Sequence, residues 1–536
     1  MAATIRLATA NDALPWLDLV QSVLGNDYPS KDIYDPAWIG PQIDSETGHE
    51  TWVADDNGRL MASISFLRPE SGAAQKNPIA NIGRALHRIE SYADGSSDEL
   101  LEYVGLLLAD RCQMGMARVL ANDNTQQILY EKHDYVCVGF QPFKHILQER
   151  VGVLFYVRAT SQVLVTRLPL SESLPQVSEL SAAALDKLQI PSPTAIRDGV
   201  TGYPLQAELK AHEATVDDYE LWRAQAQSAN PPVEISGGFN HGLGLMRVPS
   251  KEGFRAMLGQ RDDKIVAGTA FYCDEFDRCV RFIDAFSTDD ISLGSLLQSA
   301  VKAVQQQFSP VYVEVDILAS APRLLKSAEQ LGFVPVAYLP AFFHRNGAHG
   351  DVVKLMKLNM PYALDGNQFT AQARSVAEIV DRNFQDQKVG VAIINLLRGL
   401  PIFEGLGDGE LRKIARLFTQ KLFRPGESIF KRGDSGDEAF IVMRGQVDIK
   451  LDESGNPIAS IASGKVFGEL AFLDGAPRNA FAVASQASIL LVVHRSALNE
   501  LIQREPHLGM VVMRNMAMDL SNKLRAANTA LAAARK

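Results

Sequence analysis

The first 158 residues alternate between two periods of hydrophobic and polar positions. Apolar residues at every second position predict strands, and apolar residues three or four positions apart predict helices. The predicted strands are 3–9, 50–67 (a hairpin turning at Asn57-Gly58), 81–89, 116–121 and 136–143. The predicted helices are 13–25, 98–115 and 125–135. The resulting order, β-α-β-β-β-α-β-α-β, predicts a mixed α/β domain over residues 1–158.

The same pattern returns about 200 residues further along the chain. The matching segments, second copy against first, are 262–272 and 55–66, 278–288 and 81–89, 292–307 and 98–115, and 311–340 and 116–142. We therefore predict a second α/β domain over residues 206–362. The sequence between the two domains is rich in Pro and Ser, which predicts a connector over 159–205.

The C-terminal part of the chain has a different pattern. Residues 424–450 contain short alternating segments separated by glycines, which predicts short strands joined by turns, and helical spacing precedes and follows them. We predict a helical linker over 363–398 and a further domain over 399–536. The predicted architecture is multidomain: two α/β mixed-sheet domains in tandem, followed by a domain of short strands with flanking helices.

Composition narrows the classes of function. The net charge of −10 argues against broad binding to nucleic acid, which needs a basic surface. No apolar run reaches the roughly 18 residues of a membrane span, and the N-terminus lacks the pattern of a secretory signal. The four cysteines are too scattered for a zinc site, so no metal is predicted. These features predict a cytoplasmic protein that binds neither nucleic acid nor membrane.

Candidate chemistry concentrates in the stretch FGELAFLDGAPRNAFAVAS, residues 467–485. Gly468 lets the backbone approach a ligand closely, and the following helical turn offers unsatisfied amide groups at Leu470 and Ala471. A helix start favours a phosphate, to which Arg478 adds a charge-assisted pair. Glu469 is an acceptor suited to a ribose hydroxyl. These groups together predict a cyclic nucleotide as the ligand.

This stretch resembles the phosphate-binding cassette of cyclic-nucleotide-binding domains, whose pattern is FGE-L/I-A, a short spacer and PR-x-A. The resemblance extends from about residue 397 to about residue 524, and it implies that residues 399–536 form a jelly-roll-like β-roll domain with flanking helices. It implies that the final helix folds over the base as a lid or dimerises. It also implies a set of nucleotide-binding residues: Phe467, Gly468, Glu469, Leu470, Ala471, Arg478, Asn479 and Ala480. The alternative is a domain of the same fold that no longer binds nucleotide.

The choice of base is left open by Asn479. Within the resembling family, Ala at this position is common in cAMP binders and Thr in cGMP binders. We predict cAMP rather than cGMP, because the surrounding cassette resembles that of the kinase A type.

A second resemblance concerns NDNTQQILYEKHDYVCVGF, residues 122–140, which is similar to the closing helix and strand of GNAT acyltransferases. It implies acetyl-CoA as a cofactor and Tyr130 as the general acid that protonates the departing thiolate. The implied CoA-binding residues are Gly95, Ser96, Ser97 and Asn124. The alternative for Tyr130 is packing of a helix against the sheet.

Two departures from the GNAT pattern are visible. The expected glycine-rich loop is replaced by the acidic segment RIESYADGSSDEL, residues 88–100, whose carboxylates would repel a diphosphate. In the second copy Ala328 stands where Tyr130 stands in the first.

Three functional hypotheses follow. The first is a cyclic-nucleotide-regulated N-acyltransferase that acts on a protein or a small amine. The second is a non-catalytic nucleotide sensor, in which the GNAT-like domains form a scaffold for homo-oligomerisation or for a protein partner. The third is a binding module whose GNAT-like domains hold another acyl donor or small ligand.

Overall fold

The computed structural model describes residues 3–44, 49–67, 79–193, 195–197, 199–227, 233–236, 251–345 and 347–534. The chain divides into two compact units, Met1–Asn383 and Phe384–Lys536. The sequence predicts domain boundaries near residues 205 and 398, whereas the division between the compact units falls at residue 383, inside a long helix.

The first seven strands and five helices contain the six strands and three helices predicted for residues 1–158, together with one strand and two helices that were not predicted. The strands are β1 (Thr4–Leu7), β2 (His49–Asp56), β3 (Arg59–Leu67), β4 (Ile79–His87), β5 (Met114–Leu120), β6 (Val136–Ile146) and β7 (Arg150–Ala159). The helices are α1 (Ala13–Leu24), α2 (Pro36–Ile43), α3 (Ile89–Ala93), α4 (Ser96–Arg111) and α5 (Thr125–Lys132). Short 3-10 helices lie at Ala10–Asp12 and Lys31–Tyr34.

A connecting region then leads to a second set of seven strands. The connecting elements are α6 (Ser161–Thr166), β8 (Glu172–Ser173), α7 (Pro175–Lys187) and β9 (Ala195–Ile196). The strands are β10 (Lys210–Ala214), β11 (Phe254–Arg261), β12 (Lys264–Asp274), β13 (Cys279–Ser287), β14 (Tyr312–Leu318), β15 (Val334–Arg345) and β16 (Ala348–Leu358). The helices are α8 (Val216–Gln227), α9 (Ser292–Phe308), α10 (Pro322–Gln330) and α11 (Ala371–Arg398), with a 3-10 helix at Lys251–Gly253.

Both sets of strands belong to one 14-stranded mixed sheet. Its order is β1-β2-β3-β4-β5-β7-β6-β15-β16-β14-β13-β12-β11-β10, so the second half of the sheet repeats the strand order of the first half from the opposite edge. In each half one neighbouring pair is parallel, β4 with β5 and β13 with β14. The two predicted α/β domains therefore share a single sheet within one compact unit.

The halves meet where β6 pairs with β15 through Gly139 and Ala337. A Cβ atom built on Gly139 would lie 2.1 Å from the Cβ of Ala337, so only glycine permits this approach. The junction is reinforced by Glu314, whose carboxylate accepts hydrogen bonds from Gln141 and Lys144 of the first half.

The second unit is a β-roll enclosed by helices, as the sequence predicts. Its strands are β17 (Phe418–Phe423), β18 (Ser428–Phe430), β19 (Glu438–Arg444), β20 (Gln446–Lys450), β21 (Ala459–Ala462), β22 (Val466–Phe467), β23 (Phe481–Ala484) and β24 (Ser488–His494). Its further helices are α12 (Asp408–Ala415), α13 (Glu469–Asp474), α14 (Arg495–Arg504) and α15 (Pro506–Ala534), with a 3-10 helix at Pro401–Phe403. The strands form two four-stranded sheets, β17-β24-β19-β22 and β18-β23-β20-β21.

Apolar side chains from both small sheets make the interior of the roll. Phe440, Val442 and Phe467 pack there with Val447 and Ala482 of the facing sheet. A separate apolar cluster joins the outer side of the roll to the residues of α11 that belong to this unit and to α12, α14 and α15. In the part of the chain that the structure describes, no helix is both long and apolar enough to cross a membrane.

Candidate functional site

Helix α13 is a six-residue turn bounded by two glycines in the left-handed region. Gly468 precedes it with a φ of +76°, and Gly475 follows it with a φ of +74°. A Cβ on Gly468 would lie 2.9 Å from Nη1 of Arg478 and 3.1 Å from the ring of Phe440. The backbone conformation and the lack of space both select glycine here.

Arg478 is enclosed at the start of this helix, with 4% of its surface exposed. Its Nη1 donates to the carbonyl oxygen of Gly468 at 2.9 Å, and its Nη2 donates to that of Glu438 at 2.6 Å. The guanidinium carbon lies 4.3 Å from the ring centre of Phe430 and 5.5 Å from that of Phe440, which are cation–π distances. Burial lowers the pKa of Arg478, although nearby carboxylates, Glu469 among them, act against this shift. The hydrogen bonds of this buried cation to Gly468 and Glu438 go to neutral carbonyl oxygens, which an anionic ligand could replace with a stronger, charge-assisted pair.

Glu469 is the first residue of α13 and faces the C-terminal helix α15. Its Oε1 accepts a hydrogen bond from Nζ of Lys523 at 2.9 Å. Burial would lower the pKa of Lys523, but the hydrogen bonds with Glu469 and Asp519 raise it. In this structure the carboxylate predicted to bind the sugar is therefore hydrogen-bonded to a lysine of the same chain.

The remaining predicted nucleotide-binding residues take different positions. Phe467 and Ala480 lie on either side of α13 and Ala471 lies within it, and all three are buried. Leu470 and Asn479 are exposed, so their side chains are accessible to a ligand. Helix geometry leaves the first amide groups of α13 without partners inside the helix. The structure thus brings Gly468, Glu469 and Arg478 together around one short helix.

Residues 420–505 match the family model of the cyclic nucleotide-binding domain. This region is a cyclic nucleotide-binding domain. The predicted β-roll and its family are both confirmed. The matched range contains the whole cassette from Phe467 to Ala480, and the C-terminal helix with Lys523 lies beyond it.

Named relatives of the cyclic nucleotide-binding domain cover the same part of the chain. The cyclic AMP receptor protein of Thermus thermophilus is 33% identical over 138 residues, which are 25% of this chain and 62% of the receptor. A cAMP-dependent protein kinase regulatory subunit of Colletotrichum orbiculare is 32% identical over 108 residues, which are 20% of this chain and 28% of the subunit. The solved structure of the Thermus thermophilus catabolite activator protein is 33% identical with a TM-score of 0.23, covering 24% of this chain and 61% of that one. The chain spans less than two thirds of each of these relatives.

Sequence reasoning missed several contacts of the cyclic nucleotide-binding domain. Phe430 and Phe440 form the aromatic walls around Arg478, but as single apolar residues of strands they carry no distinctive signal. Lys523 is 54 positions away from Glu469 along the chain. Only the packing of α15 against α13 reveals that pair.

In the first unit, the predicted general acid Tyr130 lies inside the protein, with 1% of its surface exposed. Its ring contacts those of Tyr135 and Tyr156 at centroid distances of 5.0 and 6.3 Å. Burial raises the pKa of Tyr130 well above 10, and the neighbouring Tyr135 and Tyr92 add to the shift. These contacts describe a packed aromatic cluster between α5 and the sheet.

The four predicted CoA-binding residues lie at the starts of two helices. Gly95 precedes α4 with a φ of +88°, and Asn124 precedes α5. The amide of Ser96 donates to Oδ1 of Asp94 at 2.8 Å. Ser97 is fully buried, and its hydroxyl contacts Nδ1 of His87 and Oγ of Ser91 at 2.8 and 2.6 Å. The polar groups of both serines are therefore engaged by this chain's own residues.

One cluster of metal-type ligands lies elsewhere in the first unit. Asp274, Asp277 and Cys279 each place a ligand atom within 4.8 Å of the others. Burial raises the pKa of the Cys279 thiol to about 12, so the thiol stays protonated at neutral pH. These are three candidate ligands, two carboxylates and one thiol, whereas a structural zinc site has four.

Proposed function

We propose that this protein is a cyclic nucleotide sensor whose C-terminal domain binds cAMP. The observation that carries the proposal is the enclosed guanidinium of Arg478 at the start of α13, beside the carboxylate of Glu469. The guanidinium and the helix amides suit the cyclic phosphate, and the carboxylate suits the ribose. Two of the relatives are named for cAMP, which favours adenine over guanine.

Binding proceeds in this proposal as an exchange of partners. Arg478 gives up its bonds to the carbonyl oxygens of Gly468 and Glu438 and pairs with the phosphate. Glu469 releases the ammonium group of Lys523 and accepts a hydrogen bond from the ribose hydroxyl instead. Since Lys523 lies on α15, this exchange couples nucleotide binding to the position of the C-terminal helix.

For the first unit we propose a GNAT-like fold without acyl-transfer activity. The repeated strand order with one parallel pair in each half supports the fold. The burial of Tyr130 and the engagement of Ser96 and Ser97 favour the non-catalytic alternative, because a general acid and a diphosphate site both need access to the ligand. Helix α11, which begins in the first unit and ends in the second, is the covalent route through which nucleotide binding would act on it.

Calorimetric titration of the full chain with cAMP and with cGMP tests the sensor proposal. Arg478→Gln is expected to weaken cAMP binding by at least about 100-fold, because it removes a charge-assisted pair to the phosphate. Glu469→Gln is expected to weaken it less, about tenfold. The exposed Arg504 of α14 supplies a matched control, and Arg504→Gln is expected to leave the affinity unchanged.

Because Arg478 also packs against two rings, circular dichroism and thermal melting must show that the variant is folded. A folded Arg478→Gln chain with wild-type affinity for cAMP would remove this residue from the site. An unaltered wild-type chain that binds neither nucleotide would overturn the sensor proposal itself.

Thermal melting with acetyl-CoA separates the two roles of the first unit. A ligand that binds only the folded state raises the melting temperature. The non-catalytic role predicts no shift with acetyl-CoA and no release of CoA thiol in the presence of amines. A shift that persists in the Arg478→Gln chain would restore the acyltransferase hypothesis.

A further inference from the structure

Three phenylalanine rings pack together inside the roll, and the guanidinium of Arg478 lies against them. Phe440 and Phe467 are stacked, with ring centres 5.0 Å apart and an angle of 16° between their planes. The ring centre of Phe430 lies 5.8 Å from that of Phe440 and 6.1 Å from that of Phe467. The guanidinium carbon is 4.3 Å from the centre of Phe430 and 5.5 Å from that of Phe440. Phe430 is therefore the nearer of the two rings that this cation contacts.

The rings come from both small sheets of the roll. Phe430 belongs to β18 in one sheet, whereas Phe440 of β19 and Phe467 of β22 belong to the other. Gly468 leaves room between the rings and the cation, since a Cβ there would lie 3.1 Å from the ring of Phe440 and 2.9 Å from Nη1 of Arg478. The folded roll and the glycine before α13 together form the slot that holds the guanidinium.

A guanidinium uses its edges and its faces for different contacts. Its N–H groups lie in its plane and donate hydrogen bonds from the edges, whereas its faces can lie against aromatic rings. In the binding scheme proposed above, the edge partners are exchanged: the carbonyl oxygens of Gly468 and Glu438 give way to the phosphate. The ring of Phe430 does not compete with the phosphate for these N–H groups. The contact with the ring can therefore persist while the hydrogen bonds change.

A contact that persists lowers the cost of binding. A long arginine side chain loses rotamer freedom when a ligand orders it, and that loss weakens the affinity. The ring holds the guanidinium of Arg478 at the start of α13 before any ligand arrives, so less ordering remains to be done. The ring also attracts the cation where water is excluded.

We propose that Phe430 is a positioning residue of the nucleotide site, whose ring holds the guanidinium of Arg478 in place for the cyclic phosphate. This inference rests on the cAMP-binding function proposed above, and it adds a residue that acts through the arginine. Phe430 is partly buried at the end of β18, whereas Phe440 is 1% exposed and belongs to the apolar interior of the roll. Phe430 is therefore the ring that can be replaced with the smaller loss of stability.

Titration calorimetry of the full chain with cAMP tests this role. Phe430→Leu removes the ring and is expected to weaken cAMP binding about three- to tenfold, which is the range of a partly desolvated cation–π contact. Phe430→Tyr keeps an aromatic face and is expected to bind within about twofold of the wild-type chain. Phe423→Leu is the matched control, because Phe423 packs partly buried against the same apolar cluster, and it is expected to leave the affinity unchanged.

A double-mutant cycle separates positioning from a general loss of packing. In a chain that already carries Arg478→Gln, Phe430→Leu is expected to change the cAMP affinity by less than about twofold, because no cation remains for the ring to hold. A packing defect would weaken binding by the same factor in both backgrounds. Thermal melting establishes that each chain is folded, and Phe430→Met supplies a second variant without a ring and with the same expected loss.

Three results would overturn the role of Phe430 alone. The first is wild-type affinity in the folded Phe430→Leu and Phe430→Met chains. The second is an equal loss of affinity with and without Arg478→Gln, or an equal loss in Phe430→Tyr. The third is failure of both ring-free variants to fold, which would assign Phe430 to folding instead. A wild-type chain that does not bind cAMP would overturn the proposed function and this inference with it, so the wild-type titration distinguishes the two failures.

Discussion

The two halves of the large sheet have the same strand order but use the gap beside their parallel strands differently. In the first half, the pairing of β4 with β5 ends at Ile82 and Ala117. Beyond it lies a cavity of about 130 Å³, whose lining includes Arg84 and Arg118. In the second half, Ile235 forms a bridge with Ile317 at the end of β14 and is 3% exposed. Its neighbour Ser236 donates its amide to the carbonyl oxygen of Asp316 at 2.8 Å. A short segment outside the repeated strands has filled the second gap.

The shared strand order leaves a space beside the parallel strands in each half. Residues outside the repeated strands decide what fills that space. Parallel strands that part leave backbone groups without partners, and those groups must be satisfied by water, a ligand or another segment. In the second half a segment of the chain supplies the partner. In the first half the opening is a cavity whose lining includes Arg84, Arg118, Lys144 and Arg281.

The halves also differ at the centre of the sheet. Glu314 of β14 is fully buried among cations, and Met116 stands at the corresponding position of β5. The largest expected loss of stability comes from replacing Glu314 with the methionine that the first half has at this position. Glu314→Met is expected to destabilise the first unit by about 3–5 kcal/mol, because it leaves Lys144 and Arg281 buried without their carboxylate.

Chemical denaturation of the full chain, with a probe that reports on the first unit, measures this loss. Met116→Leu is the control in the other half, because it changes the volume of the side chain little. It is expected to lower the free energy of unfolding by less than about 1.5 kcal/mol. Equal stability of the Glu314→Met and Met116→Leu chains would show that the buried carboxylate does not hold the halves together.

A second change reopens the gap in the second half. Ile235→Ala is expected to destabilise the first unit by about 2–5 kcal/mol, because it leaves a cavity beside Ile317. Ile196→Ala, at an exposed isoleucine, is the matched control and is expected to have little effect. A loss below that of the control would mean that the segment around Ile235 does not fill the gap.

The smallest of the three expected effects concerns pH. His87 of β4 is buried, and burial lowers its pKa to about 4. The unfolded chain takes up a proton near pH 6.5, whereas the folded chain does not until about pH 4, so stability falls as the pH falls between these values. The loss attributable to His87 is expected to be at most about 3 kcal/mol.

Ser287 occupies the corresponding position of β13, so His87→Ser again makes the halves alike. Urea unfolding at pH 7, 5.5 and 4.5 should show a smaller decline for this variant than for the wild-type chain. His212→Ser, at an exposed histidine of β10, should retain the wild-type decline. Parallel pH profiles of all three chains would contradict the assigned burial of His87.

Much of the local structure could be predicted from the sequence. Hydrophobic period and glycine turns predict many of the elements in residues 1–158 and short strands in the second unit. The spacing within residues 467–480 predicts the short helix with Glu469 at its start and Arg478 shortly beyond it. These features depend on neighbours within about one turn or one hairpin, and the order of residues along the chain carries that information.

The sequence by itself thus determined many of the local elements, the repeat and the family of the C-terminal domain. Only the tertiary structure decided that both halves share one sheet, that Lys523 donates to Glu469, and that Arg84, Arg118, Lys144 and Arg281 line one cavity. These contacts join positions far apart along the chain. They depend on which strand edges and helix faces meet, and hydrophobic periodicity marks a buried face without naming its partner.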